Sequence, residues 1–293
     1  LPLVTAAHLT SSDFCLQLLL RGGANVHERD GTGRTVLSSI ENPAASMLLL
    51  ERGCRSDIPD GQGVTPLHTA FQLWSRWRRG QNLSLLLFQE KTVFDLLLKR
   101  ADGQVNLRDN YRRTPLHRAC EVPYAPAPEY VQALVRAGAD VHAVDANGWT
   151  PLHCAVAFGN YATAVRVLEL GADVEARDSR GRTPVHCLGL EALAGRTMRG
   201  VDLSHSIRVV AFGTDAPPAP FVAPLSAPSS AEQNTPDKHT QQNAAREFME
   251  SVLYKGFDFC STDGAGNLPF FYTANDTAHY LALQAAACQG LLR

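Results

Sequence analysis

Along the stretch 145–178, DANGWTPLHCAVAFGNYATAVRVLELGADVEARD, apolar residues twice fall into helical spacing and are separated by polar turn-formers. Leu152, Ala155 and Val156 share one helical face. Thr150 stands where an N-cap belongs, and Pro151 is at a first-turn position whose missing N–H costs nothing. A helix is therefore predicted from Pro151 to the Gly159-Asn160 pair. A second helix is predicted over 162–170, carrying Val165 and Leu168, and Gly171-Ala172-Asp173-Val174 closes it. Ahead of both, Asp145-Ala146-Asn147-Gly148-Trp149 is turn chemistry: Gly148 can take a positive φ, and the Asp and Asn side chains can bond their own backbone. Two short helices enclose no core alone, so a unit of this size needs neighbours stacked on it.

The same pattern recurs along the chain. Thr65-Pro66-Leu67-His68, Thr114-Pro115-Leu116-His117 and Thr150-Pro151-Leu152-His153 are identical, Thr183-Pro184-Val185-His186 differs once, and Thr35-Val36-Leu37-Ser38 has lost its Pro and His. The closing turn returns at Gly23-Ala24-Asn25-Val26 and Gly138-Ala139-Asp140-Val141, and more weakly at Gly53-Cys54-Arg55-Ser56 and Gly256-Phe257-Asp258-Phe259. In the turn that opens at Asp109, Arg112 occupies the place that Gly holds elsewhere, a position where a side chain is uncommon.

These residues resemble the ankyrin repeat, whose period is about 33 residues and whose signature is T-P-L-H-x-A. The resemblance implies an all-α solenoid of about seven helix-turn-helix units joined by β-turn or hairpin tips and interrupted by two insertions. The whole of 1–293 reads as one repeat domain, with an insertion at 73–91 in the third unit and an irregular Pro/Ala/Ser-rich insertion at 190–243 in the sixth. A helix over 244–255, with Phe248, Met249, Val252 and Leu253 on one face, then supplies the sixth unit's missing second helix, and 278–288 forms a terminal one. Leu1 to Ala6 sits where T-P-L-H-x-A belongs, so the expectation is a chain cut from a longer protein.

Function follows from the same resemblance. Such arrays bind partner proteins on the concave side formed by tips and first helices. That puts Arg34, Gln62, Val64, Tyr111, Arg113, Trp149, Arg180 and Arg182 at the tips, and Glu121, Val122, Ala157 and Phe158 on the first helices. Tyr111, Trp149 and Phe158 with Arg113 and Arg182 are read as exposed aromatic anchors ringed by Arg, and changing Trp149 and Arg113 to Ala is expected to weaken a partner with little loss of melting temperature. Trp74 and Trp77, beside Arg76, Arg78 and Arg79, are a further candidate docking patch. The resemblance also implies that each motif His ties one repeat to the next through the backbone. It nominates His142, Asn106 and His27 for the asparaginyl hydroxylase that acts on such domains; Leu134 and Asp140 precede His142 as that enzyme prefers.

Composition narrows the rest. A chain of 293 residues, 45% hydrophobic and with formal charge -2, holds ample core material and lacks the basic balance of a nucleic-acid binder. Its apolar runs are too short to span a membrane, and direct membrane contact is not expected. The 7 cysteines form no C-x-x-C pair, which suits reduced thiols in the cytoplasm or nucleus and supplies no close metal-ligand pairs. No G-x-S-x-G, H-E-x-x-H or P-loop is present, so the segment reads as non-enzymatic, cofactor-free and monomeric. The alternatives are a substrate-recruiting domain of a larger enzyme, such as a ubiquitin ligase or acyltransferase, or a cytosolic segment of a membrane protein.

Overall fold

The computed structural model describes residues 13–31, 33–39, 43–70, 93–101, 104–121, 127–188 and 238–269. Leu1 to Ala6, the insertion 73–91 with Trp74 and Trp77, most of the 190–243 stretch, Val122 and the predicted terminal helix lie outside them.

Among the described residues the chain is helical. The helices are α1 (Asp13–Arg21), α2 (Val36–Ser39), α3 (Pro43–Glu51), α4 (Pro66–Thr69), α5 (93–100), α6 (Pro115–Glu121), α7 (Ala127–Arg136), α8 (Pro151–Ala157), α9 (Tyr161–Glu169) and α10 (Lys238–Tyr254). Short helices that open at the T-P-L-H motif alternate with longer ones that end at a glycine. Among the described residues, extended pairing is limited to one antiparallel bridge, Arg29 with Thr35.

The closing turns share one hydrogen-bond scheme. After α9, Gly171 takes φ 97°. Its N–H reaches Leu168 O at 3.1 Å, and Ala172 N reaches Val167 O at 3.1 Å, the paired bonds that cap a helix end at a left-handed residue. Gly138 with Ala139 does the same on α7, and so do the two weak matches, Gly53 with Cys54 on α3 and Gly256 with Phe257 on α10. The repeat is thus intact where its letters have drifted, because the scheme needs only the glycine and two amides.

Two compact units form, one from 1–122 with 129–151, the other from 123–128 with 152–293. In the first, Leu49, Leu50, Leu116, Val131 and Leu134 are fully buried, and Phe94 packs on Tyr130 with ring centroids 4.7 Å apart. In the second, α9 and α10 lie together, Tyr161 stacking on Phe248 at 5.9 Å, with Ala164, Val167 and Val252 fully buried. The helix expected from residue 244 begins at Lys238, extended by polar residues that carry no apolar signal. The sixth unit opens with a 3₁₀ turn, Pro184–Cys187, because Leu188 turns extended at ψ 134°.

One junction is visibly incomplete. In α2 the motif His is replaced by Ser38, whose hydroxyl reaches no further than Thr35 Oγ1 at 3.2 Å. Ser38→His restores a donor aimed at the following tip and is expected to raise stability by about 1 kcal/mol. Urea midpoints of the two proteins check it.

Candidate binding surface

Each tip is built around one aspartate. Asp109 Oδ1 accepts from Tyr111 N and Arg113 N, both at 2.9 Å, while Asp109 N donates to Arg113 O at 2.9 Å. Asp60, Asp145, Asp178 and Asp263 repeat this with the second and fourth residues that follow them. A loop of this size cannot satisfy its own amides by ladder pairing, and the carboxylate does it instead. The residue in between takes a positive φ: Gly33, Gly63, Gly148, Gly181 and Gly266 lie at 73–83°, and Arg112 at 60°.

Consecutive tips are sewn together at three points. Asn110 N donates to Gln62 O, Ala146 N to Tyr111 O and Gly264 N to Arg180 O, each at 2.8 Å. The motif histidines add the second stitch: His68 Nε2 lies 3.0 Å from Arg113 O, His117 Nε2 3.0 Å from Trp149 O, His153 Nε2 3.1 Å from Arg182 O and His186 Nε2 3.3 Å from Asn267 O. A carbonyl only accepts, so Nε2 carries the proton, and Nδ1 takes the Thr hydroxyl at 2.8–2.9 Å in Thr65–His68, Thr114–His117 and Thr183–His186. The backbone-tying role implied by resemblance is what the imidazoles perform. The third stitch was missed from sequence. Arg108 Nη1 reaches Val144 O at 3.0 Å and Arg177 Nη1 reaches Thr262 O at 2.8 Å, each guanidinium holding the residue before the next tip's Asp. Its signal is the spacing Arg-Asp-x-x-x-Arg, present at 29–34, 108–113 and 177–182.

The expected anchors are corrected in part. Trp149 is 4% exposed, Phe158 8%, Arg113 9% and Arg182 4%, so none of these stands out from the surface. The reason is positional. At the tips of Asp109 and Asp178 the fourth residue after the Asp has its N–H and C=O both engaged within the fold, and its side chain turns inward to serve the aspartate's second oxygen. Arg182 Nε donates to Asp178 Oδ2 at 2.8 Å, and Arg113 Nε lies 3.3 Å from Asp109 Oδ2. Where Trp149 takes the place, Asn147 Nδ2 serves Asp145 Oδ2 at 3.3 Å instead. Phe158 closes α8, whose residues are buried on every side. These side chains serve the scaffold, and their replacement is expected to lower stability.

Arg34, Gln62 and Arg180 are exposed, Tyr111 and Val64 half-buried, and Ala157 is buried in α8. Glu121 belongs to a closed ion-pair ring: it holds Arg113 Nη1 and Arg118 Nη1, each at 3.2 Å, while Asp109 Oδ2 holds Arg118 Nη2 at 3.1 Å. The Arg113 guanidinium also lies 4.8 Å from the Tyr111 ring centroid, a cation–π contact. Of the hydroxylation candidates, His142 and His27 are exposed on closing turns, whereas the Asn106 amide bridges to Gly138 O at 2.8 Å and Asp140 N at 2.9 Å. Buried Cys54, Cys120, Cys154 and Cys187 are free thiols; burial pushes Cys54 up to about 11 and Cys187 up to about 12. Among the described residues no His/Cys/Asp/Glu group could hold a metal ion, and no helix is long and apolar enough to cross a membrane.

Arg112 carries a small energetic burden. A left-handed residue with a Cβ costs roughly 1–2 kcal/mol. Arg112→Gly is expected to stabilise the chain by about 1 kcal/mol after the entropy of the added glycine is set against it. A rise in urea midpoint at unchanged slope checks this.

Paired helices, aspartate-closed tips and a backbone seam from one tip to the next define a stacked helical-repeat protein. Residues 87–178 match the family model for ankyrin repeats, three copies. The chain is 30% identical over 151 residues to neurogenic locus notch homolog protein 1 of Xenopus tropicalis, covering 50% of the chain and 5% of that protein. It is 30% identical over 171 residues to the human SH3 and multiple ankyrin repeat domains protein 2, covering 57% and 8%, and 32% identical over 144 residues to human inversin, covering 48% and 12%. The chain thus spans a small part of each relative's length. The fold is shared with the ankyrin repeat domain of human ASB11, at TM-score 0.60, 17% identity and 97% of both chains. It is shared also with that of Bcl-3, at TM-score 0.53, 19% identity, 96% of this chain and 97% of that one. Ankyrin repeats mediate protein–protein interaction.

Proposed function

We propose that the chain is a docking module that binds a partner protein along the turn tips and adjoining first helices. The observation that carries this is a division of labour within each tip. Backbone groups and the side chains of Arg113, Trp149 and Arg182 are consumed by the scaffold, whereas at the tips of Asp60, Asp109 and Asp178 the second or third residue stands on a frame that is already ordered. Gln62, Tyr111, Arg112 and Arg180 are such residues, and ordering them in advance lowers the entropy cost of binding. A photo-crosslinking residue placed at Gln62 or Arg180 is expected to capture a common protein in cells that express the chain. The same residue at His142 or Glu175, on the closing turns, is expected to capture none. Adducts from the closing turns alone would overturn the proposal.

A further inference from the structure

We infer that the tip closed by Asp109 recognises an acidic segment of the partner, with Arg112 as the side chain that engages its carboxylates. This rests on the docking reading above and names the chemistry of the partner.

Arg112 is held at φ 60° in a place where the other described tips use glycine. The strain does nothing for the fold, since glycine closes the same loop at Asp60, Asp145 and Asp178. Strain that the fold does not need points to work done by the side chain, and Arg112 is exposed to solvent. Its surroundings set the charge. Asp109 and Glu121 are matched by Arg113 and Arg118 in the ring beneath it, and the Asp60 and Asp145 carboxylates face the amides of their own loops. Turned outward is Arg112, with exposed Gln62 as a neutral donor on the joined tip, while exposed Arg108 and Asn110 give donors to Val144 O and Gly61 O. The outward face of this tip is therefore cationic although the chain as a whole carries -2.

The tip is also rigid enough to select. Tyr111 O accepts Ala146 N, Asn110 N donates to Gln62 O, and the Tyr111 ring is steadied by Arg113, itself pinned by two carboxylates. A guanidinium offered from such a base can take a carboxylate through two parallel N–H···O bonds. Nucleic acid is disfavoured, because a phosphate backbone needs a stripe of cations, and Asp140, Asp173 and Glu175 are exposed on closing turns.

The test measures fluorescence anisotropy of a labelled oligo-glutamate peptide with the full chain at low salt. Arg112→Gly is expected to weaken binding about tenfold, Arg112→Lys to recover part of it, and Arg136→Ala, which removes an exposed cation on α7, to leave it unchanged. Since the glycine variant is expected to fold better than the parent, its loss of binding is not loss of structure. The inference is overturned if Arg112→Gly binds the peptide as well as the parent does, or if oligo-glutamine binds equally. Arg112-dependent binding of single-stranded DNA or anionic vesicles in preference to the peptide overturns it too. Tip crosslinks to a protein combined with a failed peptide arm leave the docking proposal standing and remove only the acidic partner. Arg112-dependent peptide binding without tip crosslinks does the reverse.

Discussion

Asp109→Ala is expected to lower stability by about 4 kcal/mol, the cost of leaving buried charges without their partner. The Asp109 carboxylate is inaccessible to solvent and takes four contacts: Tyr111 N and Arg113 N at 2.9 Å on Oδ1, Arg113 Nε at 3.3 Å and Arg118 Nη2 at 3.1 Å on Oδ2. Removing it opens the tip loop and leaves two guanidinium groups, 11% and 10% exposed, to share Glu121 alone. Surface ion pairs contribute little, but these are largely shielded from water, and their loss uncovers a net buried charge. Asp109→Asn separates the two effects, since its carbonyl oxygen can still hold the loop amides while its NH₂ meets the arginines as donor against donor. Both variants belong in a urea titration together with Arg118→Ala and the double mutant. If Asp109→Ala costs under about 1 kcal/mol, or if it is additive with Arg118→Ala, the ring is not a coupled unit.

The family and the unit were legible because their signals are local. A Thr-Pro pair, a glycine at a helix end and an Asp two residues before an amide act within one turn of chain, so letters and geometry coincide. The motif histidines were legible for the same reason: Thr and His meet in one helical turn, and resemblance supplied the far carbonyl. Burial was not legible at the tips. Trp149 and Arg182 sit at hairpin ends where exposure is the natural reading, yet the position's backbone is claimed by two neighbours and its side chain follows inward. Arg113 adds a ring partner, Glu121, that only α6 brings near. The Arg108 and Arg177 stitches needed a partner 36 and 85 residues away. Arg112 was visible as an exception, and its meaning came from seeing what the neighbouring charges were already bound to.

A consequence is that each tip has separable positions. Substitution at Asp or at the fourth residue after it reads as stability, whereas substitution at the second or third reads as recognition. Arg112 is the place where the two touch, because the same side chain strains the loop and faces the solvent. A protein selected for stability alone would carry glycine there, as its other described tips do.

Acid should unstitch the repeats before it protonates most carboxylates. Burial lowers His117 and His153 from 6.5 to about 4, and lowers His68 and His186 in the same direction. The folded chain therefore keeps these imidazoles neutral, with Nε2–H on a carbonyl and, in His68, His117 and His186, a bare Nδ1 on Thr, while the unfolded chain binds protons as the pH drops below 6.5. The stability this contributes is complete above about pH 7 and is lost as pH falls towards 4. Linkage makes that loss about 2 kcal/mol for each of His117 and His153 between pH 7 and pH 5. Asp145, raised by its burial, acts in the opposite sense but only nearer the carboxylate range. Urea midpoints at the two pH values should thus differ by about 4 kcal/mol from this pair alone. His117→Gln, which can still donate to Trp149 O but does not titrate, should cut the difference by about half even though it lowers stability at pH 7. An undiminished drop in that variant would mean that acid attacks the chain somewhere other than the histidine seam.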